Sequence, residues 1–244
     1  SKIGNDDYGK LALESLRQNK IDTSNIITSK DHQTGVAGIH VDSNTGQNAI
    51  TVVRGAPASL TIDEIDINII KKSKIFLTQL EIPIDVTLHC LKAAKQSGLV
   101  NILNPAPACK LDKEFFSLAD YFTPNEAEAE FYTGVKISNE NDAKESAKKL
   151  LKLGLKKVII TLGEKGLFYS DGKEEIYMKA LPFKNIEDTT GAGDAFNGGL
   201  AYALSKDKSI KECLNIANQV AGLSTLKLGA GNSMPTLKDI NLKV

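Results

Sequence analysis

The sequence predicts an α/β protein in which a mostly parallel sheet is covered by helices on both faces. Three observations carry that prediction. Short, continuously apolar, β-branched runs such as 158–162 read as strands buried on both sides, because a strand with one wet face alternates apolar and polar residues. From 74 to 162 such runs alternate with longer segments of helical character, the order that parallel strands joined by crossover helices require. The composition, 41% hydrophobic and 25% charged over 244 residues, is too apolar for disorder and leaves room for a sizeable core.

Taken in order, 6–20 reads as a helix with Asp6 as N-cap and Tyr8, Leu11, Ala12, Ser15 and Leu16 on one face. The β-branched runs 36–41 and 48–53, joined by a polar connection from Asp42 to Gly46, read as a hairpin. Thr61 followed by Glu64 is a capping box for a short helix. The regular part then runs strand 74–80, helix 84–97, strand 99–103, a short helix near Leu111, strand 121–123, and helices 125–132 and 142–153. Gly154 suits a left-handed stop, and strand 156–162 follows it. Asp171-Gly172 turns a second hairpin, 167–169 against 175–178, before helices 192–204 and 209–226.

Several function classes drop out on charge and patterning. Lys plus Arg and Asp plus Glu are both 30, a net charge of zero, so no positive excess draws the chain to nucleic acid. No apolar run approaches the roughly 18 residues of a membrane span. Cys90, Cys109 and Cys213 are far apart and odd in number, which suits free thiols in a reducing compartment and makes the cytoplasm the expected location. His32, His40 and His89 have no second ligand at zinc-binding spacing.

The chemistry concentrates in 188–196, Asp188-Thr189-Thr190-Gly191-Ala192-Gly193-Asp194-Ala195-Phe196, expected to follow a strand and open a helix. Gly191 and Gly193 bracket Ala192, so backbone N–H groups can converge on an anion without a Cβ in the way, aided by the helix dipole. Asp194, in the first turn, is of little use for holding phosphate but well placed to take a proton from a hydroxyl. An ordinary Gly-rich helix start is the plainer reading of the same residues.

This stretch resembles the C-terminal signature of the ribokinase-like (PfkB) carbohydrate kinases, and other pieces fall in that family's order. T-Q-L-E-I-P at 78–83 and N-P-A-P-A at 104–108 resemble its ribose-phosphorylating members more than its distant ones. T-P-N-E-A-E at 123–128 holds the family's N-x-x-E, T-L-G-E-K-G at 161–166 resembles its nucleotide loop, and Gly229-Ala230-Gly231 through Pro235 the segment that closes the site.

The resemblance implies a sugar kinase of ribokinase-like fold, converting D-ribose and ATP to D-ribose 5-phosphate and ADP, with Asp194 as general base and Gly191, Ala192 and Gly193 as anion hole. It implies that Glu81 and Asp194 hold the sugar, and that Asn125, Thr161, Leu162, Gly163, Glu164, Lys165, Gly166, Gly193 and Asn218 bind ATP. Asn125 and Glu128 are implied to order Mg²⁺, Glu128 through water, and Asp188, Thr190, Ser224, Lys227, Gly229 and Ser233 to hold K⁺, mostly through backbone carbonyls. Plainer readings stand beside these: a surface Glu before a proline turn for Glu81, a helix cap plus a solvated Glu for Asn125 and Glu128, and a satisfied core amide for Asn218. Another sugar or nucleoside kinase of the family, and a catalytically impaired nucleotide-binding chain, are the alternatives.

The family's opening strand with its sugar-binding Asp, and its G-G-K-G-x-N segment, have no counterpart in the sequence. The resemblance therefore implies a single domain over 1–244 that lacks its N-terminal segment. It also implies that 33–56 is part of a β lid through which the complete protein forms a homodimer.

Overall fold

The computed structural model describes residues 1–41 and 48–240. A short parallel pair, β1 (Lys2–Gly4) and β2 (Ile27–Ser29), flanks helix α1 (Asp7–Gln18). The hairpin strands β3 (Val36–Val41) and β4 (Asn48–Val53) run antiparallel, with Ile39 opposite Ile50 and Ala37 opposite Val52; the connection expected from Asp42 to Gly46 lies outside the described residues. Next come a 3-10 turn at Ile62–Glu64 and α2 (Ile67–Ile70).

The main sheet has six strands: β5 (Ile75–Thr78), β6 (Val100–Leu103), β7 (Tyr121–Phe122), β8 (Val158–Thr161), β9 (Leu167–Ser170) and β10 (Glu175–Met178). They lie side by side in the order β10-β9-β8-β7-β6-β5, with β5 to β8 parallel and β9 and β10 antiparallel. The helices are α3 (Ile84–Gln96), α4 (Lys113–Leu118), α5 (Glu126–Thr133), α6 (Glu140–Lys152), α7 (Ala192–Ser205) and α8 (Ile210–Ser224).

The period of two along the strands sorts the core. Leu103, Phe122, Val158, Ile160 and Phe168 point to one face, where they pack against Leu91, Phe115, Ala129, Ala147 and Leu150 from α3 to α6. Their neighbours Ile102, Tyr121, Ile159, Leu167 and Tyr169 point to the other face, against Ala195, Leu200, Leu214 and Ala217 of α7 and α8. Both faces are covered, as the apolar runs require.

Two expectations are corrected. On α1, Tyr8 and Leu11 are 63% and 64% exposed, and the inward face is built on Gly9, whose Cβ would stand 2.3 Å from Gly4 O. Close approach of helix to strand at a glycine, rather than bulk at Tyr8, sets the orientation. The Gly-rich stretch is also not preceded by a strand, because residues 179–189 are irregular. Pro182 has no N–H to give a ladder, Asn185 has φ of 60°, and the amides of Glu187 and Asp188 both donate to Thr225 O, at 2.9 and 3.3 Å.

Candidate active site

The parallel strands end together, and the polar residues that follow them face one region beyond their C-terminal ends, where open α/β sheets bind ligands. After β5 come Gln79 and Glu81, after β6 Asn104, after β7 Thr123 and Asn125, and β8 closes on Thr161. The start of α7 meets this edge. Asp194, Asn197, Gln79, Glu81 and Asn104 all line a cavity of about 750 Å³ there, so Glu81 and Asp194 share one wall system although far apart in sequence. Glu81 is exposed.

Gly191 makes the turn into α7 with φ of 77°. A side chain there would be strained and would press its Cβ to 3.1 Å from Met234 Cε. The first helical bond is Ala195 N to Gly191 O at 2.8 Å, which leaves the amides of Ala192, Gly193 and Asp194 without a carbonyl one turn back. Ala192 N donates instead to Thr189 O at 3.2 Å, whereas a Cβ on Gly193 would meet nothing within 4 Å. Gly193 thus offers an N–H beside open space at the positive end of a helix.

The Asp194 carboxylate stays accessible at the cavity wall. The crowding of protein around it pushes its pKa above the usual carboxylate range, and a bond from Gln79 Nε2 at 2.9 Å opposes that push.

Asn125 caps α5 through a capping box: its Oδ1 accepts from Glu128 N at 2.8 Å and Glu128 Oε2 accepts from Asn125 N at 2.8 Å. Asn125 Nδ2 also donates to Glu128 Oε1 at 3.0 Å. The cap of the plainer reading is present, but Glu128 is only 9% exposed, and burial raises its pKa. Thr161 N donates to Pro124 O at 2.9 Å, bringing Thr161 beside Asn125. Leu162 is buried, and Gly163–Lys165 form a 3-10 turn closed by Leu162 N to Gly166 O at 2.8 Å. The two glycines differ. Gly163 borders open space, but a Cβ on Gly166, at φ of 103°, would fall 2.0 Å from Met178 O, so Gly166 serves the β9–β10 packing. Asn218 Nδ2 donates to Lys179 O at 2.8 Å and ties α8 to the irregular segment.

Asp188 sits between two loops: Oδ1 accepts from Thr190 N at 2.8 Å and Oδ2 from Gly229 N at 2.9 Å. A bond from the Thr190 hydroxyl, the largest influence, together with these two amide bonds holds its carboxyl below the usual range. Asp188 is 2% exposed, and no Lys or Arg among the described residues pairs with it. Thr190, Ser224 and Ser233 are also buried, while Lys227 is exposed.

A helix N-terminus facing the strand ends, with a carboxylate in its first turn and a cavity beside it, is the arrangement that can hold an anion next to a proton acceptor, as phosphoryl transfer in an open α/β protein requires. Residues 1–237 match the pfkB family carbohydrate kinase model, and the chain belongs to that family. It is 36% identical over 245 residues to the ribokinase of Staphylococcus aureus, covering 99% of this chain and 80% of that protein. It is 37% identical over 244 residues to a bifunctional ribokinase/ribose-5-phosphate isomerase A of Fructilactobacillus sanfranciscensis, covering 98% of this chain but only 45% of that protein. The structure of Arabidopsis thaliana ribokinase complexed with ribose and ATP superposes with a TM-score of 0.89 at 32% identity, covering all of this chain and 81% of the other.

Glu81 and Asp194 thus share one cavity, whereas Asn125, Glu128 and Thr161 form a separate group at the neighbouring strand ends and Asn218 lies with the segment after β10. What sequence reading missed is a set of amides, Gln79, Asn104 and Asn197, that bind these ends to α7; the first two lie inside segments already singled out, without a role.

Proposed function

We propose that the protein phosphorylates D-ribose with ATP, giving D-ribose 5-phosphate and ADP. The observation that carries the reading is the first turn of α7, where Asp194 and the Gly193 amide share one end of a helix beside the cavity. Asp194 accepts the proton of the attacking sugar hydroxyl, whose oxygen forms the new bond to the γ-phosphorus as the bond to the ADP oxygen breaks. The Gly193 amide, joined by that of Ala192 once it leaves Thr189 O, holds the charge on the transferring group. Glu81 accepts a further sugar hydroxyl. Thr161 to Gly166 and Asn125 border the phosphates and Asn218 the adenosine.

Mg²⁺ prefers a few protein oxygens plus water and substrate phosphates, and a single buried carboxylate beside Asn125, with no group of three acidic, His or Cys ligands among the described residues, fits that manner of binding. Glu128 and Asn125 would hold it through water, and when bound it neutralises phosphate charge. Asp188, a buried carboxylate with no Lys or Arg paired to it among the described residues, fits a monovalent cation completed by carbonyls of Thr190, Ser224, Lys227, Gly229 and Ser233. No helix among the described residues is long and apolar enough to cross a membrane, and the cytoplasm is the proposed location.

The test is ADP release over a panel of pentoses and hexoses, repeated in K⁺ and Na⁺ at constant ionic strength. Ribose should give the highest kcat/KM, and the rate should be higher in K⁺ because carbonyls at fixed separation discriminate ions by size and field strength. Another preferred sugar overturns the substrate, and equal rates in both salts remove the cation site while leaving the kinase in place.

The hairpin supports a homodimer. Ala37, Ile39, Ile50 and Val52 lie on one face of β3 and β4 by register, and Ile39, Ile50 and Val52 are 41%, 50% and 58% exposed. An apolar strip of this kind on a two-stranded sheet calls for a cover. Ile50→Lys should convert a dimer to a monomer in light scattering; a mass unchanged by the substitution would remove the hairpin as the contact.

A further inference from the structure

Beyond the strand ends runs a closed circuit of hydrogen bonds. Gln79 Nε2 donates to Asp194 Oδ1 at 2.9 Å and to Asn104 Oδ1 at 3.3 Å. Asn104 Nδ2 donates to Thr123 O at 2.8 Å. The Thr123 hydroxyl donates to Asn197 Oδ1 at 2.8 Å, and Asn197 Nδ2 donates to Gly193 O at 2.9 Å, next to Asp194. Asn104, Thr123 and Asn197 are 9%, 1% and 4% exposed, so their polar atoms depend on one another.

The orientation of every amide in this circuit is forced. Backbone carbonyls only accept, so Asn104 must turn its NH₂ to Thr123 O and Asn197 its NH₂ to Gly193 O. The oxygen of Asn197 then accepts the hydrogen bond from the Thr123 hydroxyl. The oxygen of Asn104 needs a donor, so Gln79 must present its NH₂, and that same NH₂ is what Asp194 meets.

We infer that Gln79 is a positioning residue for Asp194: its amide, oriented by Asn104, holds the carboxylate at the cavity wall in the charged form that can accept a proton. This rests on the reading of Asp194 as general base. The circuit also ties the first turn of α7 to the ends of β5, β6 and β7, so base and anion hole move with the sheet.

A donor bond favours the ionised carboxylate and crowding disfavours it; Gln79 therefore works against the surrounding walls. Other charges do not take its place. Glu64, Asp66 and Glu81 line the same cavity, Glu64 is paired with Lys2 at 2.8 Å, and no bond joins any of the three to Asp194 among the described residues. A second hollow beside Asp194, about 280 Å³, is lined by apolar residues and Tyr202.

The test is the pH dependence of kcat/KM in the full-length protein carrying Gln79→Leu, which removes the donor at similar volume, and Gln79→Glu, which sets a second carboxylate against Asp194. Both should move the acid limb upward by about 0.5 to 1 unit, a loss of about 3- to 10-fold on the acid side that is largely recovered on the alkaline plateau. A purely structural role predicts a loss uniform across pH. An unmoved limb in both variants overturns the inference; if Gln79→Leu does not fold, the near-isosteric Gln79→Glu decides. Asp194→Asn separates the two claims: a near-parent rate in that variant defeats the base itself, whereas an unmoved limb beside an inactive Asp194→Asn defeats only Gln79.

Discussion

Asp194→Asn should lower kcat by roughly 10²- to 10⁴-fold, the range for loss of a positioned general base, while leaving the fold and nucleotide binding in place. The substitution is nearly isosteric, and the Asp194 side chain is exposed at the cavity wall, so no core packing depends on it. The contact with Gln79 Nε2 at 2.9 Å survives if the new amide presents its oxygen. Chemistry is therefore what the variant loses. ADP release and a thermal melt with and without ATP give both readouts, and a loss below about tenfold would remove Asp194 from the role.

Gly193→Pro is the second large effect, because it deletes one N–H and sets the ring Cδ where that hydrogen pointed. Gly193 is the second residue of α7, where no helical carbonyl awaits its amide, so proline is tolerated there. A Cβ at this position meets nothing within 4 Å. Removal of one donor to the transferring group should lower kcat by roughly 10²- to 10³-fold. Gly193→Ala keeps the N–H and should stay close to the parent rate. Equal losses in the two variants would show that the side chain, not the amide, is at fault and would defeat the backbone anion hole.

Local rules written in the sequence carried most of the architecture. The alternation of apolar runs with helical segments foretold β5 to β8 and the helices between them, because a strand buried on both faces cannot hide its composition. The caps at Asp6 and Asn125 were legible because each accepts from an amide three residues on, at 2.8 Å in both cases, a bond whose partners are near neighbours in the chain. β1 and β2 were missed because three residues do not establish a period, and each strand is held by the other. The helix at 6–20 was expected, but its inward face depends on where Gly9 meets Gly4 O.

At the site, residue types and spacing were enough to single out Asp194 and the glycines around Ala192, since they share the first turn of one helix, while the Asn125 and Glu128 pair was singled out by the family resemblance. They could not tell that Gly166 serves strand packing while Gly163 faces open space, because the difference lies in the distance to Met178 O. Nor could they find the path from Asp194 through Gln79, Asn104, Thr123 and Asn197 back to Gly193. That path crosses three strand ends and a helix, and hydrogen bonding holds only within about 3.5 Å, so it exists once the parallel sheet has brought those ends into register.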